Sequence, residues 1–283
     1  MNQVFCTLVF ASQILFTCKV SGDEIRLSEL IVWNVGQGSW ATVVDREACL
    51  HFDLGGEHAP LEAIASNCRQ KTNFVYYSHW DWDHIGLTRA AQSVLPDLCV
   101  VERPGGESTA ANKLRMLAEL RDCAERKQTT GPFRVSAPTR VTELRHLNSP
   151  PTANGQSRVF LFRGVIFPGD SPSTQEKVWG PFARSAHILI AGHHGSKTST
   201  SLRLLAELKS VRQIVVSARR EKYGHPHRAM LDRAYEGRFA VLTTEDWGSI
   251  HIGLSNDRFA GEPATYEKPR SAMRRKIQTM YRK

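Results

Sequence analysis

Apolar positions in this chain fall mostly in short runs, β-branched or aromatic and bounded by turn residues, which is the pattern of strands. Early runs at Leu30–Val35, Trp40–Val44, Leu50–Asp53 and Phe74–Ser78 each predict one. Helical spacing follows. Ile85–Leu95 predicts one helix, and Thr109–Lys127 predicts the longest, with Leu114, Leu117, Leu120 and Cys123 three residues apart among charged residues. Strand-like runs then return at Val141–Leu147, Val159–Phe162, Val165–Phe167, His187–Ala191, Ile214–Ser217, Phe239–Leu242 and Ile250–Ile252. Helices predicted at Ser201–Leu208 and Pro226–Tyr235 separate the later strands. Two sets of strands with interspersed helices predict a layered α/β sandwich. Gly131–Pro138 and Asn148–Gly155 read as loops, neither long enough to divide the domain.

The first residues read differently. Val4–Phe16 is an apolar run of thirteen, and Val20 and Gly22 fit a small-residue cleavage pattern. Residues 1–22 are expected to be a signal segment, residues 23–257 the domain, and residues 258–283 a basic tail. The amino end lacks Lys or Arg, so a hydrophobic first strand stays open as the other reading, and Cys18 faintly resembles a lipoprotein processing site. The expected location is export to the periplasm or envelope, with the cytoplasm as the alternative.

At 283 residues, 41% hydrophobic and 23% charged, the chain is an ordinary globular one, and a disordered or collagenous chain is excluded. No apolar run reaches the roughly 18–20 residues of a membrane-spanning helix, so a channel within this chain is excluded. The formal net charge is +9, which suits a polyanionic partner. From Arg258 onward there are eight Lys/Arg against Glu262 and Glu267, so the tail carries most of that excess. The six cysteines form no C-x-x-C pair, and most read as small buried residues. Cleavage after Gly22 would leave four, an even number that an oxidising compartment could pair.

Four short segments carry chemistry, each at a predicted strand end. Ser78–Gly86 places His79, Asp81, Asp83 and His84 within six residues, between Trp80 and Trp82. Such a turn can offer His79 and Asp81 to one metal ion and Asp83 and His84 to a second, with Asp83 as a helix cap. Val165–Asp170 ends a strand in Gly169-Asp170, where a carboxylate can bridge two cations. His187–Ser201 ends a strand in His193-His194 and continues as Ser196, Lys197 and further hydroxyls that could hold phosphate oxygens. Each hydroxyl alone reads more simply as an ordinary helix cap. Tyr223-Gly224-His225-Pro226 supplies one more histidine.

These segments, in this order, resemble the metallo-β-lactamase fold, and specifically the hydrolase domain of ComEC-type DNA-uptake competence proteins. Asn34–Ser39 resembles that family's D-V-G-Q-G-D, Asp53-Leu54-Gly55 its I-D-T-G, and His79–Gly86 its S-H-x-D-x-D-H-I-G. Asn154 and Ser157 resemble an N-x-x-S pair, Pro168–Asp170 T-G-D, His193–Ser196 P-H-H-G-S, and Tyr223–Pro226 Y-G-H-P. Asn34 and Ser39 stand where the family has Asp, which would weaken support of the metals. His146 reads as a strand residue and has no assigned role.

The resemblance implies a four-layer αββα sandwich with two divalent ions at the strand ends. Zn is expected, with Mn or Mg admitted because Asp81 is a harder ligand than histidine. The implied metal ligands are His79, Asp81, Asp83, His84, Asp170 and His194. Asp83, His193 and His225 are the implied catalytic residues, and Ser196, Lys197, Trp80 and Trp82 the substrate contacts. Two Zn²⁺ against Asp81, Asp83 and Asp170 leave a charge that a bridging hydroxide balances, and that hydroxide would attack phosphorus. The implied function is a phosphodiesterase or nuclease acting on DNA. The alternatives are a hydrolase of small phosphoesters or envelope esters such as phosphorylcholine, and a non-catalytic polyanion-binding module.

Overall fold

Residues 28–125, 142–144 and 151–254 are described by the structure, a computed structural model. The leader, Cys6 and Cys18, the Gly131–Pro138 loop, His146 and the basic tail lie outside them. In chain order the strands are β1 Ser28–Val32, β2 Ala41–Val44, β3 Ala48–Phe52, β4 Thr72–Tyr76, β5 Leu98–Glu102 and β6 Thr142–Leu144. They continue as β7 Val159–Phe162, β8 Val165–Phe167, β9 Ile188–Ile190, β10 Gln213–Val216, β11 Ala240–Thr243 and β12 Ile250–Leu254. The helices are α1 Leu61–Cys68, α2 Trp82–Ile85, α3 Thr88–Val94, α4 Ala111–Ala118 and α5 Ser173–Trp179. They continue as α6 Leu202–Glu207, α7 Arg220–Tyr223, α8 Arg228–Glu236 and α9 Thr244–Trp247.

The strands form two sheets, ordered β12-β1-β2-β3-β4-β5 and β11-β10-β9-β8-β7-β6. Alternation along each strand decides what lies between them. In β1, Leu30 and Val32 face a core that also takes Phe160, Phe162, Phe167, Ile188 and Val215 from the second sheet. Ile31, from the same strand, points the other way into a core with Ile64 and Cys68 of α1 and Leu117 of α4. On the far side, Ile166 and Leu189 pack under Trp179, Leu204 and Met230 of the second helical layer. Three cores between four layers make the αββα sandwich. Phe52 and Phe167 stack across the sheets with ring centroids 3.7 Å apart. Truncating either to Ala should cost about 3–5 kcal/mol.

The structure corrects several sequence expectations. The helix expected over Thr109–Lys127 ends at Ala118. A disulfide from Cys99 to Cys123 and a bridge from Val100 to Asp122 pull the following chain against β5, where a single turn forms at Cys123–Glu125. Leu114, expected in the apolar stripe, is exposed. The helix expected over Ile85–Leu95 breaks after Ile85, because the Leu87 N–H is drawn off to the Leu54 carbonyl at 2.8 Å. The cysteines expected to be small buried residues are paired: Cys49 with Cys68, and Cys99 with Cys123. Strand β5 and helices α1 and α5 were not expected. The buried face of α1 is only Ile64 and Cys68, and that of α5 includes Gln175 and Glu176, so neither shows an apolar stripe. Among the described residues no helix is long and apolar enough to cross a membrane.

Candidate metal centre

Six carboxylate and imidazole side chains meet where β4, β8 and β9 end, and backbone contacts between loops bring them there. Asp53, just after β3, holds a left-handed φ of 58°. Its carboxylate accepts from the Ser78 N–H at 2.7 Å and the Ser78 hydroxyl at 2.8 Å, fixing the chain that leads to His79. Gly55 passes so close to α2 that a Cβ there would lie 2.1 Å from the Asp83 carbonyl, so only glycine fits. The Ser39 N–H donates to that same carbonyl at 2.8 Å, so Ser39 supports Asp83 through its backbone, without the carboxylate the family carries there. His193 and His194 both adopt left-handed conformations, φ 49° and 54°. Two such residues in succession cost about 1–3 kcal/mol each, a strain found mainly at functional sites. The His193 N–H donates to the Gly169 carbonyl at 3.0 Å, tying this turn to Asp170.

Hydrogen bonds on the outer side of each imidazole decide what the inner side offers. His84 Nδ1 lies 2.7 Å from Asp53 Oδ2, a carboxylate that can only accept, so Nδ1 carries the proton. His194 Nδ1 lies 3.0 Å from the Ser217 carbonyl, which also only accepts. The Ser78 hydroxyl gives its proton to Asp53, so at 3.0 Å from His79 Nδ1 it accepts. In their neutral forms His79, His84 and His194 therefore all turn Nε2 lone pairs inward. The Nε2 atoms of His84 and His194 are 3.3 Å apart, a repulsive pairing of lone pairs that a cation removes. His79 Nε2 and Asp170 Oδ1 are buried without a hydrogen-bond partner. Asp170 Oδ1 sits 3.0 Å from His84 Nε2 and 3.8 Å from His194 Nε2, and Oδ2 sits 3.8 Å from His79 Nε2. These groups fit divalent cations.

Two sets of donors lie within ligating reach: His79, His84 and Asp170, and Asp83, His84 and His194. His84 thus stands in both, where the sequence suggested that it serves one ion only. Asp83 Oδ2 is 3.2 Å from His194 Nε2, and Asp81 Oδ2 is 3.4 Å from His79 Nε2. Asp83 lies inside α2 rather than capping it, and Asp81 takes the cap position. Charge follows the geometry. Burial opposes ionisation of Asp170, but the His84 and His194 charges hold its carboxyl well below the usual range. Burial likewise opposes a charge on His84, yet Asp170 and Asp53 raise its pKa well above normal, so a proton takes the Nε2 position wherever a metal ion does not. The pocket is thus built to hold positive charge.

The remaining expected residues are placed unevenly. His193 Nε2 is 3.5 Å from Asp170 Oδ2 on the outer side of the centre, faced by the Asn154 amide. The His225 ring stands 5.9 Å from that of His193. Trp80 is pinned by its Nε1–H to the Gly106 carbonyl at 3.1 Å, while Trp82 is 50% exposed at the rim. Lys197 is exposed, and no side-chain contact joins it to the centre among the described residues. The Ser196 hydroxyl bonds Thr198. Ser199 donates to the Ser171 carbonyl, Thr200 N–H and Ser201 N–H donate to Glu176, and Ser201 caps α6. Most of that hydroxyl-rich run thus serves the loop itself.

Three residues with clear roles here had none assigned from the sequence. Asp53 was visible only as part of a motif. Lys113 of α4 places Nζ 3.8 Å from Asp81 Oδ1 and 5.4 Å from the Trp82 ring centre. Gln37 reaches His225 from the loop after β1. A lone lysine or glutamine far along the chain carries no local signal of such a contact.

Known proteins resemble this chain at low identity. No protein-family model matches the chain. It is 25% identical over 236 residues to Recombination protein 2 of Haemophilus influenzae, covering 80% of this chain and 29% of that protein. It is also 25% identical over 236 residues to Competence protein ComA of Neisseria gonorrhoeae, covering 79% of this chain and 32% of that one. The chain therefore spans about a third of the length of these curated relatives. In structure it is similar to YhfI, a metallo-β-lactamase fold protein of Bacillus subtilis. That TM-score is 0.52 at 14% identity, covering 80% of this chain and 99% of that one. The fold is that of the metallo-β-lactamases, and the resemblance to competence proteins read from the motifs recurs in the sequence relatives.

Proposed function

We propose that the chain is a metal-dependent phosphodiesterase that cleaves DNA. The observation that carries this reading is the set of three inward Nε2 lone pairs, on His79, His84 and His194, around the two oxygens of Asp170. Asp83, His84 and His194 would hold one divalent cation, and His79, Asp81 and the far oxygen of Asp170 a second. Such ions supply Lewis acidity and a water whose pKa is lowered to near 7. The chain's own residues do the rest. Asp53, Ser78 and the Ser217 carbonyl hold the imidazoles in one tautomer and orientation. Lys113 and the exposed face of Trp82 form a rim suited to a phosphate and a stacked base. The +9 net charge and relatives named for competence and recombination favour DNA as the substrate.

The disulfides Cys49–Cys68 and Cys99–Cys123 support a site of action in an oxidising compartment, the periplasm or envelope.

The test is purified protein with added Zn²⁺ or Mn²⁺ on single- and double-stranded DNA, beside bis(4-nitrophenyl) phosphate. DNA cleavage that vanishes in Asp170→Asn supports the reading. Hydrolysis of the small diester with DNA left intact points to a small-ester hydrolase. Metal binding without turnover of either leaves a binding module.

A further inference from the structure

Gln37 joins the two halves of the sandwich from a position that is 6% exposed. Its backbone N–H donates to Glu57 Oε2 at 3.1 Å. Glu57 also receives Arg219 and Lys222, so the loop after β10 is drawn to the loop after β1. In that setting the Gln37 side chain has only one workable orientation. Its Oε1 lies 3.2 Å from the Arg219 backbone N–H. A backbone N–H can only donate, so the amide atom facing it is the oxygen. The amide nitrogen then faces His225, with Nε2 3.4 Å from His225 Nδ1. An NH₂ group can only donate, so His225 Nδ1 must accept, and the neutral ring carries its proton on Nε2. That Nε2–H has no partner among the described residues. The ring sits edge-on to His193, whose own Nε2 faces Asp170.

From this geometry we infer that Gln37 is a positioning residue that holds His225 in the Nε2–H form, as a neutral hydrogen-bond donor to an oxygen of the bound ester. The assignment rests on the hydrolase reading for what the donor serves, but not for the tautomer itself. It separates three roles open to a histidine beside such a centre. A cation ligand or a general base needs a lone pair at the free nitrogen, and here that nitrogen bears hydrogen. A general acid needs the doubly protonated ring, whose Nδ1–H would stand against the Gln37 NH₂, donor facing donor. What remains is a fixed donor aimed where oxyanion charge develops, with no proton transferred.

The experiment is a histidine-labelled ¹H–¹⁵N correlation spectrum of the metal-free full chain, with His225 assigned by its absence in His225→Ala. The wild type should show His225 protonated at Nε2 and bare at Nδ1. In Gln37→Glu the carboxylate oxygen facing Nδ1 can only accept, so the proton should move to Nδ1. With metal added at mildly alkaline pH, Gln37→Glu should lower kcat about tenfold with KM nearly unchanged, less than the roughly 10²-fold loss of a whole oxyanion donor. In a His225→Ala background the same change should add nothing, because both act through one group. A wild-type ring protonated at Nδ1, or the same tautomer in wild type and Gln37→Glu, overturns the inference. So does full additivity of the two substitutions. If no ester is turned over, the hydrolase reading fails while the spectra still decide the role of Gln37.

Discussion

Asp53 Oδ2 accepts the Nδ1 proton of His84 at 2.7 Å, and so turns the His84 Nε2 lone pair toward that of His194. An amide at position 53 keeps the size but can present NH₂ to the ring, freeing it to take the other tautomer. Asp53→Asn should therefore lower divalent-metal affinity about 10–100-fold, the usual cost of losing a partner behind a ligand. Competition against a chromogenic chelator measures it, with urea unfolding alongside to confirm that the fold survives.

The donor sets predict how many ions are lost with each residue. Elemental analysis of dialysed wild-type protein should show close to two equivalents of Zn or Mn. Asp81→Ala removes a donor beside His79 and should lose about one equivalent. Asp83→Ala, which strips the His84–His194 set, should abolish turnover, whereas His225→Ala should slow it about 10²–10³-fold. Near-wild-type activity in Asp83→Ala would place the chemistry elsewhere.

His51 predicts an acid-sensitive core. It is fully buried, and its Nδ1 accepts from the Trp40 indole N–H at 3.2 Å while Nε2 faces Asn73 Oδ1 at 3.0 Å. Burial lowers its pKa from 6.5 to about 4. The unfolded chain thus binds this proton more readily than the folded one. Stability from this group is complete above pH 6.5 and is lost as pH falls toward 4, by about 3 kcal/mol in all. Urea titrations of wild type and His51→Gln across that window should give a steeper pH slope for the wild type.

Both disulfides lie in the first half of the chain, closing sequence separations of 19 and 24 residues. Loop-closure entropy gives each about 3 kcal/mol of stabilisation. Reduction, or Cys49→Ala with Cys68→Ala, should lower the urea midpoint accordingly, and non-reducing peptide maps should show the two named links. Free thiols at all four positions in protein from its native source would remove the support for an oxidising compartment.

The basic tail tests the choice of substrate. Truncation after Asn256 removes eight Lys/Arg. Each phosphate contact contributes a slope of roughly −0.7 to −0.9 in log K against log salt. Salt titration of DNA binding by metal-free protein should flatten on truncation, while hydrolysis of a small diester stays nearly constant. An unchanged slope would move the assignment toward small esters.

The four chemical segments were legible because ligands crowd at strand ends: His79 to His84 declares itself by density alone. Strands β7 and β8 match the apolar runs residue for residue, since buried strands leave a continuous hydrophobic signature. What stayed hidden depends on distant partners. Lys113 means nothing until α4 sets it beside Asp81, and Gln37 means nothing until Arg219 fixes its amide. The end of α4 was misread because a disulfide overrides helical spacing. Ser39, read as a weakening departure, still contacts Asp83 through its backbone N–H, a link that no side-chain motif reveals.

Strand β12 pairs along the whole of β1, Leu254 opposite Ser28 and Ile250 opposite Val32. A ribosome releases β12 more than two hundred residues after β1. Throughout that interval β1 carries a bare hydrogen-bonding edge, the kind that recruits other strands. The first sheet is therefore completed only after translation has passed residue 254, and until then its outer strand has no partner on that side.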